Sequence, residues 1–225
     1  GAEIGEVGGR NSTVADLDAF MAGYVHTIQA QAVFPGISKL SVQTGTTHGG
    51  VLLPDGTMAQ VELDFDTLHR LSLAARERYG MAGAVQHGAS TLPDELFHRF
   101  PQVETAEIHL ATGFQNTVYD SPHFPAELRE EMYAHLRQTY GAGRWPDETD
   151  AQFLYRERKR AFGPFKEKLW NMPEASRRRI GEALEAQCAF LFSQRGIARS
   201  RELVDRFTRP VAVPVAVPAL LKDGW

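Results

Sequence analysis

Apolar residues recur at helical spacing near the start of the chain. Thr13 and Asp16 have the spacing of a capping box. The apolar positions that follow lie three or four residues apart: Leu17, Phe20, Met21, Tyr24, Val25 and Ile28. A capping box followed by this period predicts a helix over about residues 13–31, which the Pro35-Gly36 turn should end.

Short apolar segments bounded by glycine alternate with helical patterns further along the chain. The segments 39–46, 82–88 and 106–111 have the length of buried strands, and residues 2–5 form a similar stub. One helix is predicted through Leu68, Leu71 and Ala75, and a short one begins near Pro93. Because no hairpin signals separate the strands, the alternation predicts parallel strands joined by crossover helices.

This alternation is typical of a (β/α) barrel, although the crevice of an open parallel sheet is an alternative. A complete (β/α)₈ TIM barrel takes about 250 residues, whereas only four strands are found here. We therefore expect residues 1–120 to be half of a TIM barrel. Residues 121–225 are expected to be a helical extension, with helices over 126–138 and 173–194 and an extended, proline- and valine-rich tail over 210–218.

The composition is that of an ordinary globular protein. The chain has 225 residues, a net charge of −4 and one cysteine, so an internal disulfide and a strongly basic nucleic-acid surface are both excluded. No apolar run is long enough to span a membrane. We expect a cytoplasmic protein, and the start on Gly1 without an initiating methionine leads us to expect a fragment or a processed chain.

Two histidines stand at predicted strand ends. His48 and His87 each precede a glycine, and side chains at the ends of neighbouring parallel strands converge on one mouth. Glu3, on the short segment 2–5, is a third candidate metal ligand at the same level of the predicted barrel. Two imidazoles and a carboxylate suit zinc, so we predict a zinc site, although any one of these residues could instead be structural.

The same loops carry groups that could bind phosphate. Glycine main-chain N–H groups at the start of a helix favour an anion, and hydroxyls add donors. The candidates are Gly49, Gly88, Ser90 and Thr112. The alternative is that the glycines only make tight turns from strand to helix.

Four ordered motifs over residues 2–115 resemble the class II, metal-dependent fructose-bisphosphate aldolases. Residues 3–9 are similar to the family's fifth-strand Glu-x-Gly-x-x-Gly-Gly element, and Thr47-His48-Gly49 is similar to its sixth-strand element. Residues 86–90 resemble its seventh-strand His-Gly-Gly-Ser element, and residues 107–112 occupy the eighth-strand position. The resemblance therefore implies strands 5 to 8 of the barrel.

The resemblance also implies an activity. Members of the family are lyases of carbohydrate metabolism, including glycolysis, that reversibly cleave a phosphorylated ketose to dihydroxyacetone phosphate and an aldehyde. It implies zinc as a Lewis acid and leaves open a monovalent cation beside it. The roles it implies are zinc ligation by His48, His87 and Glu3, and phosphate binding by Gly49, Gly88, Ser90 and Thr112.

Because the family's first four strands carry a further zinc histidine and the aspartate that protonates the aldehyde, a missing N-terminal half or a partner chain must complete the barrel. The resemblance also implies a homo-oligomer. No nucleic-acid or membrane partner is expected.

Two departures from the family pattern bear on catalysis. Arg10-Asn11-Ser12 stands where the family has a carboxylate-rich loop that supplies the proton-abstracting glutamate, and His109 replaces an asparagine. His109 could be a core histidine with a satisfied hydrogen bond, or a proton carrier that partly replaces the glutamate. The alternative function is a non-catalytic barrel subunit that stabilises or regulates an aldolase partner. A zinc-dependent hydrolase is a third, weaker alternative.

Overall fold

A computed structural model describes residues 1–5, 8–29, 36–46 and 49–213, and it shows an α/β fold with a parallel sheet. Its strands are β1 (Ala2–Ile4), β2 (Leu40–Val42), β3 (Ala84–Gln86) and β4 (Glu107–Ile108). All neighbouring strands are parallel, in the order β1-β2-β3-β4. The predicted α/β class is confirmed, although each strand is shorter than the apolar segment that predicted it.

Crossover helices join the strands. They are α1 (Val14–Gln29), α2 (Phe65–Tyr79) and the four-residue α3 (Arg99–Gln102), which follows a short 3-10 helix over Asp94–Leu96. The capping box before α1 forms as predicted, since Thr13 N donates to Asp16 Oδ2 and Asp16 N donates to Thr13 Oγ1. Gly80 ends α2 in the left-handed conformation, with φ of 63°.

The rest of the described chain is helical. Its elements are α4 (Thr112–Tyr119), α5 (Ala126–Tyr140), α6 (Asp150–Glu157), α7 (Lys166–Trp170), α8 (Glu174–Gln194) and α9 (Arg201–Phe207), with 3-10 turns over Gly141–Gly143 and Arg158–Ala161. Residues 210–213 of the tail are not helical and are exposed, and residues 214–218 lie outside the described part of the chain. None of the helices in the described ranges has both the length and the apolar character needed to cross a membrane.

Two hydrophobic clusters hold these elements together. The first packs the sheet against α1 and α2, and it includes Ile4, Leu40, Val42, Ala84, Leu17, Met21, Leu68 and Leu71. The second lies within the helical part and includes Tyr119, Met132, Leu136, Phe153 and Ile180. Helix α8 connects them, because Ile180 belongs to the second cluster and Leu191 to the first.

The opposite face of the sheet is lined mainly by polar side chains. Successive residues of a strand point to opposite faces, so Glu3, Ser41, Val85 and Glu107, which are neighbours in register, share the face away from α1 and α2. Lys39 forms an ion pair with Glu107. Because β3 lies between β2 and β4, this ion pair spans β3.

Candidate active site

A buried network of polar side chains fixes the carboxyl ends of β2 and β3. Thr44 Oγ1 donates to Gln86 Oε1 at 2.6 Å, and Gln86 Nε2 donates to Thr46 Oγ1 at 3.0 Å. Thr46 Oγ1 also donates to the main-chain oxygen of His87 at 2.8 Å. All three polar side chains are buried. These hydrogen bonds link residues about 40 positions apart. They therefore hold the loop after β2 and the loop after β3 in a fixed position relative to each other.

Three of the four predicted phosphate residues lie together above this network. Ser90 Oγ accepts the Ala111 main-chain N–H at 3.0 Å, directly before Thr112 at the start of α4. A Cβ placed on Gly49 would lie 3.7 Å from Thr112 Oγ1, so the loop after β2 reaches the same point. The structure therefore brings Gly49, Ser90 and Thr112 together.

The fourth predicted phosphate residue lies on the chain that leads to them. Gly88 is buried, with φ of 72°, two residues before Ser90. Gly49 likewise has φ of 88°. These are left-handed conformations that favour glycine, so the tight-turn interpretation of the glycines is also satisfied.

His87 and His109 lie side by side at this end of the sheet. Their ring centroids are 4.4 Å apart, and His109 Nε2 hydrogen-bonds the Glu107 carboxylate. A carboxylate can only accept, so Nε2 carries the hydrogen. His109 is therefore hydrogen-bonded, but with half of its side chain exposed it is not a core residue.

Glu107 joins this pair to Lys39. Hydrogen bonds from Lys39 and His109 lower the pKa of the Glu107 carboxyl below its ordinary value of 4.5, against the opposing effect of partial burial. The carboxylate therefore stays charged at neutral pH and fixes the orientation of the His109 ring. No sequence pattern predicted this contact, although Glu107 and His109 share a face because they are two residues apart on an extended chain.

The predicted metal ligands are only partly brought together. Glu3 is exposed on β1 and shares a sheet face with His87, but β2 lies between their strands. His48 lies outside the described residues. Within the ranges that are described, no group of three His, Cys, Asp or Glu side chains could hold a metal ion.

The loop that departs from the family pattern is tied to helix starts. Arg10 pairs with Asp16 in the first turn of α1, and Asn11 Nδ2 donates to Asp64 Oδ2 at 3.0 Å. Asp64 is the N-cap of α2. Ser12 Oγ accepts the Gln43 N–H and donates to the Ile4 carbonyl, so this loop holds β1 to β2.

Helix α6 supports the Gly49 loop from the other side. Tyr155 donates to the Gly49 carbonyl at 2.8 Å and accepts from Asn116 at 3.2 Å, and Gln152 donates to the Leu52 carbonyl at 2.9 Å. A cavity of about 420 Å³ lies between this helix, the loop and the start of α4, and Gly49 and Thr112 are part of its wall. Helix α6 was not predicted from the sequence, although Thr149 and Gln152 have the spacing of a capping box, and its partners Gly49 and Leu52 are about 100 residues away.

Comparison with known proteins decides the family. The model of the family described as fructose-bisphosphate aldolase class-II matches residues 1–168, about three quarters of the chain. The chain belongs to the class II fructose-bisphosphate aldolase family. The predicted resemblance is thereby confirmed. A search of curated proteins finds no match.

Solved structures give weaker likenesses to this class II family member. A provisionally assigned fructose-1,6-biphosphate aldolase from Coccidioides immitis is 20% identical, with a TM-score of 0.40, and the match covers 87% of this chain and 46% of that one. A fructuronate-tagaturonate epimerase from Cohnella laeviribosi is 11% identical, with a TM-score of 0.48 and coverage of 83% and 43%.

A provisionally assigned tagatose 6 phosphate kinase from Sinorhizobium meliloti 1021 is 16% identical, with a TM-score of 0.48 and coverage of 88% and 51%. The class II aldolase chain thus spans about half the length of each of these structures.

Proposed function

We propose that this chain is the metal- and phosphate-binding half of a class II aldolase, supplying strands 5 to 8 of a TIM barrel. In the completed barrel it would catalyse reversible cleavage of a phosphorylated ketose to dihydroxyacetone phosphate and an aldehyde. The observation that carries this proposal is the meeting of Gly49, Ser90 and Thr112 beside the His87 and His109 rings, at one end of a parallel sheet. Family membership supports the same reaction class.

The donor chemistry fits a zinc ion in part. His87 and Glu3 are an imidazole and a carboxylate on one face of the sheet, which are ligand types that zinc takes. With His48, which lies outside the described residues, they would hold the ion. When bound, it would stabilise negative charge on the oxygens of the three-carbon fragment.

The chain's own residues bind and orient the substrate. The Ser90 and Thr112 hydroxyls and the glycine main chain hold the phosphate, and so fix the position of the carbon that gains or loses a proton. His109 lies beside them, with its Nε2 engaged by Glu107. In the cleavage direction a proton carried on its other ring nitrogen, Nδ1, would pass to the carbon of the three-carbon fragment once the carbon–carbon bond has broken, leaving a neutral ring whose Nε2 hydrogen still faces Glu107.

Zinc binding by the purified protein tests this proposal. We expect H87A to lower the zinc affinity by at least about tenfold, because one of few ligands is lost. His123 is an exposed histidine in another part of the fold, so H123A is the matched control and should bind zinc as the wild type does. Equal zinc affinity in H87A and the wild type would contradict the proposed metal site.

A second candidate is a non-catalytic barrel subunit that stabilises an aldolase partner. The observation that favours it is the loop of Arg10 and Asn11, which contacts the helix-capping carboxylates Asp16 and Asp64 instead of offering a base. Such a subunit would bind phosphate but would not accelerate cleavage. Turnover by the assembled protein therefore distinguishes the two functions.

A further inference from the structure

We propose that the cavity beside Gly49 and Thr112 takes an uncharged, apolar or aromatic distal group of a phosphomonoester, so that the substrate is a monophosphate and not a bisphosphate. This inference rests on the proposed function, because it assumes that the phosphate sits at Gly49, Ser90 and Thr112. It adds the class of the group that the phosphate carries.

The location of the cavity supports this substrate class. Gly49 and Thr112 belong both to its wall and to the cluster of phosphate residues. A ligand held by its phosphate at that cluster therefore has the cavity directly beside it. A volume of about 420 Å³ suffices for a ring or a short carbon chain, since small-molecule pockets begin at roughly 300 Å³.

The wall of the cavity is largely apolar. It includes the side chains of Val51, Leu52, Pro54, Trp145 and Pro146. The Trp145 side chain is well exposed, and the Arg156 guanidinium lies 4.4 Å from the centre of its ring, which holds the indole in place. A fixed, exposed indole at a cavity is suited to contact with an apolar or aromatic group.

The charges of the cavity do not favour a second phosphate. The Arg156 guanidinium is engaged by Glu148 at 2.9 Å and by Glu157, two carboxylates that are almost fully buried. Asp147 and Glu148 balance Arg156 and Lys159 in the wall, so the cavity has no net positive charge. A doubly charged distal phosphate would lose its hydration without gaining a matching cationic site.

Calorimetric titration of the whole chain tests the inference, with inorganic phosphate, phenyl phosphate and 1,3-propanediol bisphosphate as probes. We expect phenyl phosphate to bind at least about tenfold more tightly than inorganic phosphate, because burial of a phenyl ring contributes that much. The bisphosphate should bind no more tightly than inorganic phosphate.

Two variants of Trp145 and one control locate the effect. W145A should abolish the preference for phenyl phosphate and leave inorganic phosphate within about twofold, whereas W145F should keep part of the preference. Trp170 is another exposed tryptophan, on α7 outside the cavity wall, so W170A should keep the full preference.

The failures of the two proposals can be told apart. Equal binding of phenyl and inorganic phosphate, an unchanged preference in W145A, or tighter binding of the bisphosphate would overturn this inference alone. A chain that binds none of the three probes would contradict the phosphate site of the proposed function itself.

Discussion

The Ser90 hydroxyl can donate one hydrogen bond and accept two, and within the described part of the chain it forms one accepted hydrogen bond and no donated one. Its oxygen accepts the Ala111 N–H, while its hydrogen remains available to an anion at the start of α4. The same side chain therefore shapes the loop and offers a donor to the substrate. Because Ser90 has both roles, its replacement is informative only when a phosphorylated ligand is compared with its unphosphorylated analogue.

We expect S90A to weaken a phosphorylated ligand about tenfold and its unphosphorylated analogue far less, since a hydrogen bond to a charged group is lost only in the first case. Dissociation constants measured by calorimetry check this. Ser38 lies before β2, at the opposite end of the sheet, so S38A is the control and should leave both constants unchanged. Equal weakening of both ligands would assign Ser90 a purely structural role.

His109 was interpreted either as a structural histidine with a satisfied hydrogen bond or as a proton carrier. H109N restores the asparagine of the family pattern and removes the titratable ring. If His109 carries the proton, turnover of the assembled enzyme should fall at least about a hundredfold while phosphate affinity is kept. Steady-state kinetics over a range of pH check this, and an unchanged rate and pH profile would exclude the role.

The Glu107 carboxylate makes the unfolding free energy of the chain depend on pH in the acidic range. Because its pKa is lowered in the folded state, its contribution is present above the ordinary value of 4.5 and is lost as pH falls through the lower, folded-state value. E107Q should therefore reduce the dependence of the unfolding free energy on pH below about 4.5. Urea unfolding at several pH values measures it, and identical slopes in wild type and variant would contradict this account.

At the scale of elements, the helices were more predictable than the contacts between them. The helical spacing of apolar residues marks one apolar side on each of α1, α2, α5 and α8. Each of these helices packs that side into a hydrophobic cluster, as an amphipathic helix does. The buried network of Thr44, Thr46 and Gln86 could not be predicted, because its bonds depend on which strands become neighbours. The strands were overestimated because buried residues continue beyond the paired segments: Gln43, Thr44 and Thr46 are buried in the loop after β2 but are not part of the sheet.

Helix α6 holds the Gly49 carbonyl through one hydroxyl, that of Tyr155. Y155F should weaken phosphate binding about threefold and lower the unfolding free energy by about 1 kcal/mol, because the Gly49 carbonyl loses its donor. The matched control is Y140F, since the Tyr140 ring contacts Arg160 on another surface. Phosphate affinity that is identical in Y155F and the wild type would show that the loop holds its shape without the Tyr155 hydrogen bond.

At the scale of the whole molecule, the parallel sheet determines which polar residues the chain can bring to one site. β1 and β4 are the outer strands of the described sheet, and the face that carries Glu3, Glu107 and His109 is polar enough to line a site. Sequence motifs indicated this arrangement because residues at the ends of adjacent parallel strands must meet. They could not show what faces these residues from across the sheet in the proposed barrel, since residue spacing within one chain does not specify it.

Exchange of the carbon-bound proton of dihydroxyacetone phosphate would show whether the chain takes part in aldolase chemistry. The full-length protein, purified with any partner chain and loaded with zinc, is incubated with dihydroxyacetone phosphate in D₂O, and the loss of the proton signal is followed by NMR. We expect exchange that requires zinc and is abolished in H87A but not in H123A. A zinc-loaded protein that binds the phosphate ester yet exchanges no proton would contradict it, and would favour the non-catalytic subunit.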